Sequence, residues 1–191
     1  MNITIEKRNE ILKSVVYAAA KIWGSATEAE VQDSVNAAIK TVEFMNIDSS
    51  TDMLEAVYKA TEAVHSAWVN NNLDRLGVKA QNGQLHQYLP CEFIGFEEFA
   101  KYVLFVQPVF EVLFEYSFDV QDLRAKYAEA VASYQNYHNV DFADKDEISD
   151  WLRGPIMKMQ VPEKVYVYIS DVGNATSISR EVQERYFSDK S

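Results

Sequence analysis

Apolar residues recur at spacings of three and four along most of the first 137 positions, and that period predicts a series of helices. The first runs from Ile5 to about Trp23, with Ile11, Leu12, Val15, Val16, Ala19 and Ile22 on one side. Gly24-Ser25 ends it. Thr27, followed three residues later by Glu30, is a capping-box start for a second helix to about Phe44, striped by Val31, Val35, Ala38, Ile39 and Val42. Asn46 to Ser50 is a turn cluster. A third helix, about Thr51 to Asn71, carries Leu54, Val57, Tyr58, Thr61, Val64, His65 and Trp68. His65 and Trp68 are three residues apart on that stripe, so they are neighbours on the inward face. A fourth helix, about Phe96 to Tyr116, is apolar on nearly every side, which makes it the central one; Pro108 predicts a kink or a split near Val106. A fifth, about Val120 to Tyr137, is amphipathic through Leu123, Tyr127, Ala130, Val131 and Tyr134.

Between the third and fourth helices the pattern changes. Val78 to Gln87 has Asn82-Gly83 at its centre, a pair that tolerates the positive φ a two-residue hairpin turn needs, so a small β-hairpin is predicted over 78–87. Leu89-Pro90-Cys91 leaves it in extended form. Near the end, a short helical piece from Asp146 to Leu152 stops at Gly154-Pro155. Lys164-Val165-Tyr166-Val167-Tyr168-Ile169 alternates as a strand does, Asp171 to Asn174 is a turn, and Ser177 to Phe187 is a terminal helix. That strand needs a partner for its backbone, either the 78–87 hairpin or a second copy of the chain, which leaves room for a homodimer. The predicted fold class is mainly α: a multi-helix bundle with a small β-hairpin or short sheet. It forms a single helical domain over 1–191, with 118–191 as a C-terminal extension.

The 191 residues are enough to bury a core without disulfides or metals. Charge narrows the partners. Acids exceed bases for a net −11, which excludes a general nucleic-acid or anionic-membrane binder, since both require basic surface. The excess is concentrated: residues 111–150 hold ten acids against Arg124, Lys126 and Lys145. The start of the chain lacks the basic-then-apolar order of a signal peptide, and the most apolar run, Tyr102 to Phe114, is too short to span a bilayer. Together with the lone cysteine, Cys91, this predicts a cytoplasmic protein, in the host cytoplasm if viral.

Catalytic signatures are missing. Six scattered glycines supply no phosphate cradle, and neither a zinc-protease nor a hydrolase elbow motif occurs. Glu62 and His65 form one E-x-x-H where a di-iron bundle site needs two plus further glutamates. Cys91 follows His86 by five residues with no third group to orient the pair. Glu97-Glu98 at a helix start is accounted for by the helix dipole. No catalytic residue, metal or cofactor is therefore assigned. His65 with Trp68 stays open between a satisfied core histidine and a pocket that stacks a planar ligand.

Ala63-Val64-His65-Ser66-Ala67-Trp68, a spacer of about twenty residues, and then Leu89-Pro90-Cys91-Glu92-Phe93-Ile94-Gly95-Phe96-Glu97-Glu98 running on to Phe105 resemble the ryanodine-receptor-type repeat in its small bacterial and phage versions. His65 and Trp68 match the repeat's H-x-x-W. Pro90, Glu92, Ile94, Glu97 and Lys101 fall at its proline, acidic, apolar, acidic and basic positions. The likeness covers about residues 50–115 and departs where Gly77-Val78 and Gln84 to Leu89 replace the repeat's hairpin residues and Tyr102 replaces an aspartate. It implies a non-catalytic module that binds a small, nucleotide-like ligand. On that reading the pocket is His65, Trp68, Tyr88, Pro90, Glu92 and Tyr102, with Trp68 and Tyr88 stacking a ring and His65 and Glu92 hydrogen bonding it. Nearby positive charge is sparse, at Arg75, Lys79 and Lys101. The alternative is an acidic interaction or inhibitor protein whose 111–150 region occupies a basic surface of a partner protein.

Overall fold

A computed structural model describes residues 2–22, 27–75, 85–142, 144 and 147. They form five α-helices: α1 (Ile5–Ile22), α2 (Glu28–Met45), α3 (Met53–Asn71), α4 (Phe96–Phe114) and α5 (Val120–His138). Three short 3-10 turns, Leu73–Arg75, Leu85–Tyr88 and Cys91–Phe93, lie between α3 and α4. The chain divides into two compact units, one of residues 1–68 and 96–128, the other of residues 69–95 and 129–191.

In the first unit α4 packs against both α1 and α2, and α1 packs against α2. The buried side chains are those the period predicts: Ile11 and Val15 from α1, Val35 and Ile39 from α2, Val57 and Val64 from α3, Phe99, Val106 and Phe110 from α4. Helix α2 begins as its sequence requires. The Thr27 amide donates to Glu30 Oε2 at 2.8 Å, and the Glu30 amide donates back to Thr27 Oγ1 at 3.2 Å, closing a capping box. Asp52 starts α3 by accepting the Glu55 amide at 3.1 Å. It also takes Lys126 Nζ of α5 at 3.1 Å, while Glu55 takes the same ammonium at 2.9 Å. Tyr58 stacks on Phe99 at 5.3 Å, joining α3 to α4.

Pro108 neither splits α4 nor ends it; one helix runs from Phe96 to Phe114 with the proline buried inside. The cost is local, since proline has no amide to offer the carbonyl of Leu104. Burial against apolar neighbours on nearly all sides outweighs that one lost bond. Helix α4 ends at Glu115, which takes φ 50°, and the Tyr116 amide reaches back to the Phe110 carbonyl at 3.3 Å.

In the second unit the described turns after α3 meet at Asn72. Its carbonyl accepts the Arg75 amide at 3.0 Å and the Tyr88 hydroxyl at 2.6 Å, so both lone pairs are used. Tyr88, Leu89, Cys91 and Ile94 are buried here, and the single cysteine is a free thiol. The hairpin prediction is not upheld. Among the described residues there is no strand, and 85–87, expected as part of its second arm, lies in the 3-10 turn Leu85–Tyr88; residues 78–84 lie outside the described residues. The Tyr88 hydroxyl fastens this turn to the Asn72 carbonyl, sixteen residues earlier. Gly95 takes φ 82° just before α4, a conformation that glycine adopts without strain. The predicted strand at 164–169 and the terminal helix at 177–187 lie outside the described residues, as does the piece at 146–152 apart from Glu147.

Candidate functional site

Helix α3 turns one side inward because its apolar residues repeat at helical spacing, and His65 falls on that side. Thr61, one turn earlier, satisfies its buried hydroxyl by donating to the Val57 carbonyl at 2.8 Å. His65 is 3 % exposed, and its ring meets Tyr102 of α4 edge-on at 5.0 Å and 80°. Trp68 is half-buried and meets the same Tyr102 ring at 6.2 Å and 64°. Tyr102 is fully buried and is the shared neighbour of the other two. Each contact sets the positive edge of one ring towards the negative face of another, the arrangement aromatic pairs favour.

The other three predicted site residues belong to the second unit. Tyr88 is 1 % exposed and donates to Asn72. Burial first, and Asp74 after it, push its phenol far above the usual tyrosine range, so it acts as a donor at any physiological pH. Pro90 is half-buried, and its carbonyl accepts the Phe93 amide at 2.8 Å, opening the turn Cys91–Phe93. Glu92 is buried within that turn. The structure therefore brings His65, Trp68 and Tyr102 together, and holds Tyr88, Pro90 and Glu92 on a second segment whose described role is to build the turns after α3.

None of the six lines the surface depression formed by Val42, Glu43, Asn46, Ile47 and Phe114. Its volume of about 180 Å³ falls below the few hundred Å³ typical of ligand pockets. Among the described residues no group of three or more His, Cys, Asp and Glu side chains is arranged to hold a metal ion. No described helix is long and apolar enough to cross a membrane.

Two features escape a reading by motif. In the first unit Arg124 lies over the Phe96 ring at 4.4 Å and bonds Glu97 at 3.0 Å, so one guanidinium uses an aromatic face and a carboxylate together. In the second, the end of α5 gathers rings. His138 lies 4.4 Å from Tyr134 and 4.8 Å from Tyr137, and Phe93 lies 5.8 Å from Tyr134 and 4.3 Å from Phe142. The Tyr134–His138 spacing of four was a legible signal; the approach of Phe93 and Phe142 had none. Around these features the carboxylates of 111–144 face solvent, among them Glu111, Glu115, Asp119, Asp122, Glu129 and Asp141. No family model, no curated protein and no solved structure matches this chain.

Proposed function

We propose that the chain is a non-catalytic binding protein that presents its acidic surface to a basic partner protein. The observation that carries this reading is the disposition of charge. Seven of the segment's carboxylates are exposed, while its two described bases are directed at carboxylates elsewhere, Arg124 at Glu97 and Lys126 at Asp52 and Glu55. The segment's negative field is thus left facing outward, where it steers an oppositely charged surface into contact. The test is capture on the immobilised protein, eluted from about 0.05 M to about 0.5 M salt, over which the screening length shortens from roughly 14 Å to about 4 Å. Partners held by this surface are lost as salt rises and are lost from the variant Glu111→Gln/Glu115→Gln/Glu129→Gln. A captured set indifferent to both salt and neutralisation sinks the proposal.

A second reading is the ryanodine-receptor-type module with a small, nucleotide-like ligand. It is supported by the H-x-x-W pair, His65 and Trp68, meeting at one tyrosine of α4. Native mass spectrometry of the protein purified from cells decides it. A small mass lost on denaturation and absent from Trp68→Ala upholds it; a clean apo mass in the wild type removes it. The same spectrum reports monomer or homodimer.

A further inference from the structure

Where α2 and α4 end in the first unit, the surface holds a hollow the size of one side chain. We propose that this depression, lined by Val42, Glu43, Asn46, Ile47 and Phe114, receives a long basic side chain of the partner protein, with its aliphatic stem against Val42, Ile47 and Phe114 and its charged head at Glu43. This rests on the acidic-surface reading above and gives it an anchor.

Helices α2 and α4 pack against each other, and each stops beside the hollow in a left-handed residue, Asn46 at φ 48° and Glu115 at φ 50°. The loop after α2 is held by its own bonds. Asp48 accepts the Ser50 amide at 2.8 Å and the Ser50 hydroxyl at 2.6 Å, and the Asp48 amide donates to Thr51 Oγ1 at 3.0 Å. Ile47 is thereby set between a helix end and a fastened turn. Phe114 is backed by the Phe110 ring, 5.7 Å away. The hollow is therefore formed before anything enters it, which lowers the cost of binding. Val42 is buried, Glu43, Ile47 and Phe114 are half-buried, and Asn46 is exposed. A volume of about 180 Å³ is small for a free ligand but admits one side chain.

Charge complementarity selects the occupant. The two stretches that supply the walls, 41–58 and 102–123, contain four acids each and neither lysine nor arginine. Lys40, three residues before Glu43, is exposed and does not pair with it. Among the described residues Glu43 and Glu115 enter no ion pair. Neither α2 nor α4 has a basic residue in its last turn. A helix C-terminus carries the negative end of the dipole and carbonyls without intrahelical donors, so a cation there is stabilised. Two such ends and Glu43 thus set negative potential around an apolar hollow. An anion is repelled, and a neutral side chain leaves that potential unanswered. A long basic side chain meets both demands, because its methylenes cover apolar surface while its charge stays at the wet rim.

The test uses the full chain and two fluorescent peptides of equal length and charge at pH 6. One carries three lysines spaced by Gly-Ser, the other three 2,4-diaminobutyrates, which keep the ammonium but lose two methylenes. A surface that reads charge alone holds the two equally. The hollow should hold the lysine peptide about five-fold tighter at low salt, since buried methylenes add affinity. Ile47→Ser should bring the lysine peptide down to the affinity of its shorter homologue, and Glu43→Gln should weaken both peptides. Equal affinity of the two for the wild type overturns the anchor and leaves the acidic-surface reading standing. Failure of both to bind at low salt overturns both. A lysine advantage that survives Ile47→Ser, in a variant with an unchanged melting temperature, overturns this site. So does lysine-peptide binding that Glu43→Gln leaves unchanged, a result that does not depend on the Ile47 variant folding.

Discussion

Glu115 closes helix α4 in the left-handed region, at φ 50°, where an L side chain crowds its own backbone and glycine does not. Asn46 and Asn139 do the same for α2 and α5, but asparagine tolerates the conformation better. Glu115→Gly is therefore expected to stabilise the protein by about 1 kcal/mol, raising its melting temperature by roughly 2–4 °C. Calorimetry checks this, and an unchanged or lower value means the strain is already relieved. Thr27 points the other way. Thr27→Ala removes one half of the capping box and should cost about 1 kcal/mol by denaturant titration. Tyr102 is the residue on which the predicted site turns. Because it is fully buried against His65 and Trp68, Tyr102→Ala should cost roughly 3–5 kcal/mol whatever the protein binds. Position-by-position spacing placed His65 and Trp68 on one stripe. It did not reveal that Tyr102 would stand between them, because the register of one helix against another is set by packing and is not written in either helix alone.

At the scale of elements, the five helices were legible to within two or three residues, since each carries a clear apolar stripe and α2 and α4 carry recognisable starts. Two local rules were outweighed by partners distant in sequence. Of the kink or split expected at Pro108, the split does not occur, because α4 is buried along this stretch and continues. The 85–87 arm should extend towards a hairpin partner, yet Tyr88 is held by Asn72, sixteen residues earlier. The α3–α5 pairing also escaped the sequence, because Asp52 and Lys126 are far apart in it. It has a pH consequence. The Glu55 amide first, then Lys126, hold the Asp52 carboxyl below its ordinary value in the folded chain. A depressed carboxylate adds stability that is complete above its unfolded pKa, about 3.9, and is lost as pH falls through the folded value. Asp52→Asn keeps the helix cap but removes the charge. Its melting temperature should therefore fall less steeply than that of the wild type below about pH 4. Parallel slopes would show that Asp52 is not the group responsible.

For the whole molecule, the sequence announced the charge but not its arrangement. A net −11 and ten acids in forty residues are visible by counting. That Arg124 and Lys126 would spend their charge on Glu97, Asp52 and Glu55 is visible only in the fold. Neutralising Glu111, Glu115 and Glu129 should consequently alter association while sparing stability. Exposed like charges contribute little to folding, so the variant's melting temperature should stay within about 2 °C of the wild type. A large drop would mean that those carboxylates support the fold instead. The chain also carries its own clock for the second unit. Cys91 is the single thiol and only 2 % exposed, so a thiol reagent reaches it only when the segment around it opens. The rate of its labelling, followed against denaturant, measures how often that segment breathes without any engineered probe. Because Tyr88 anchors the same stretch to Asn72, Tyr88→Phe should quicken the labelling while the helices of the first unit keep their circular dichroism.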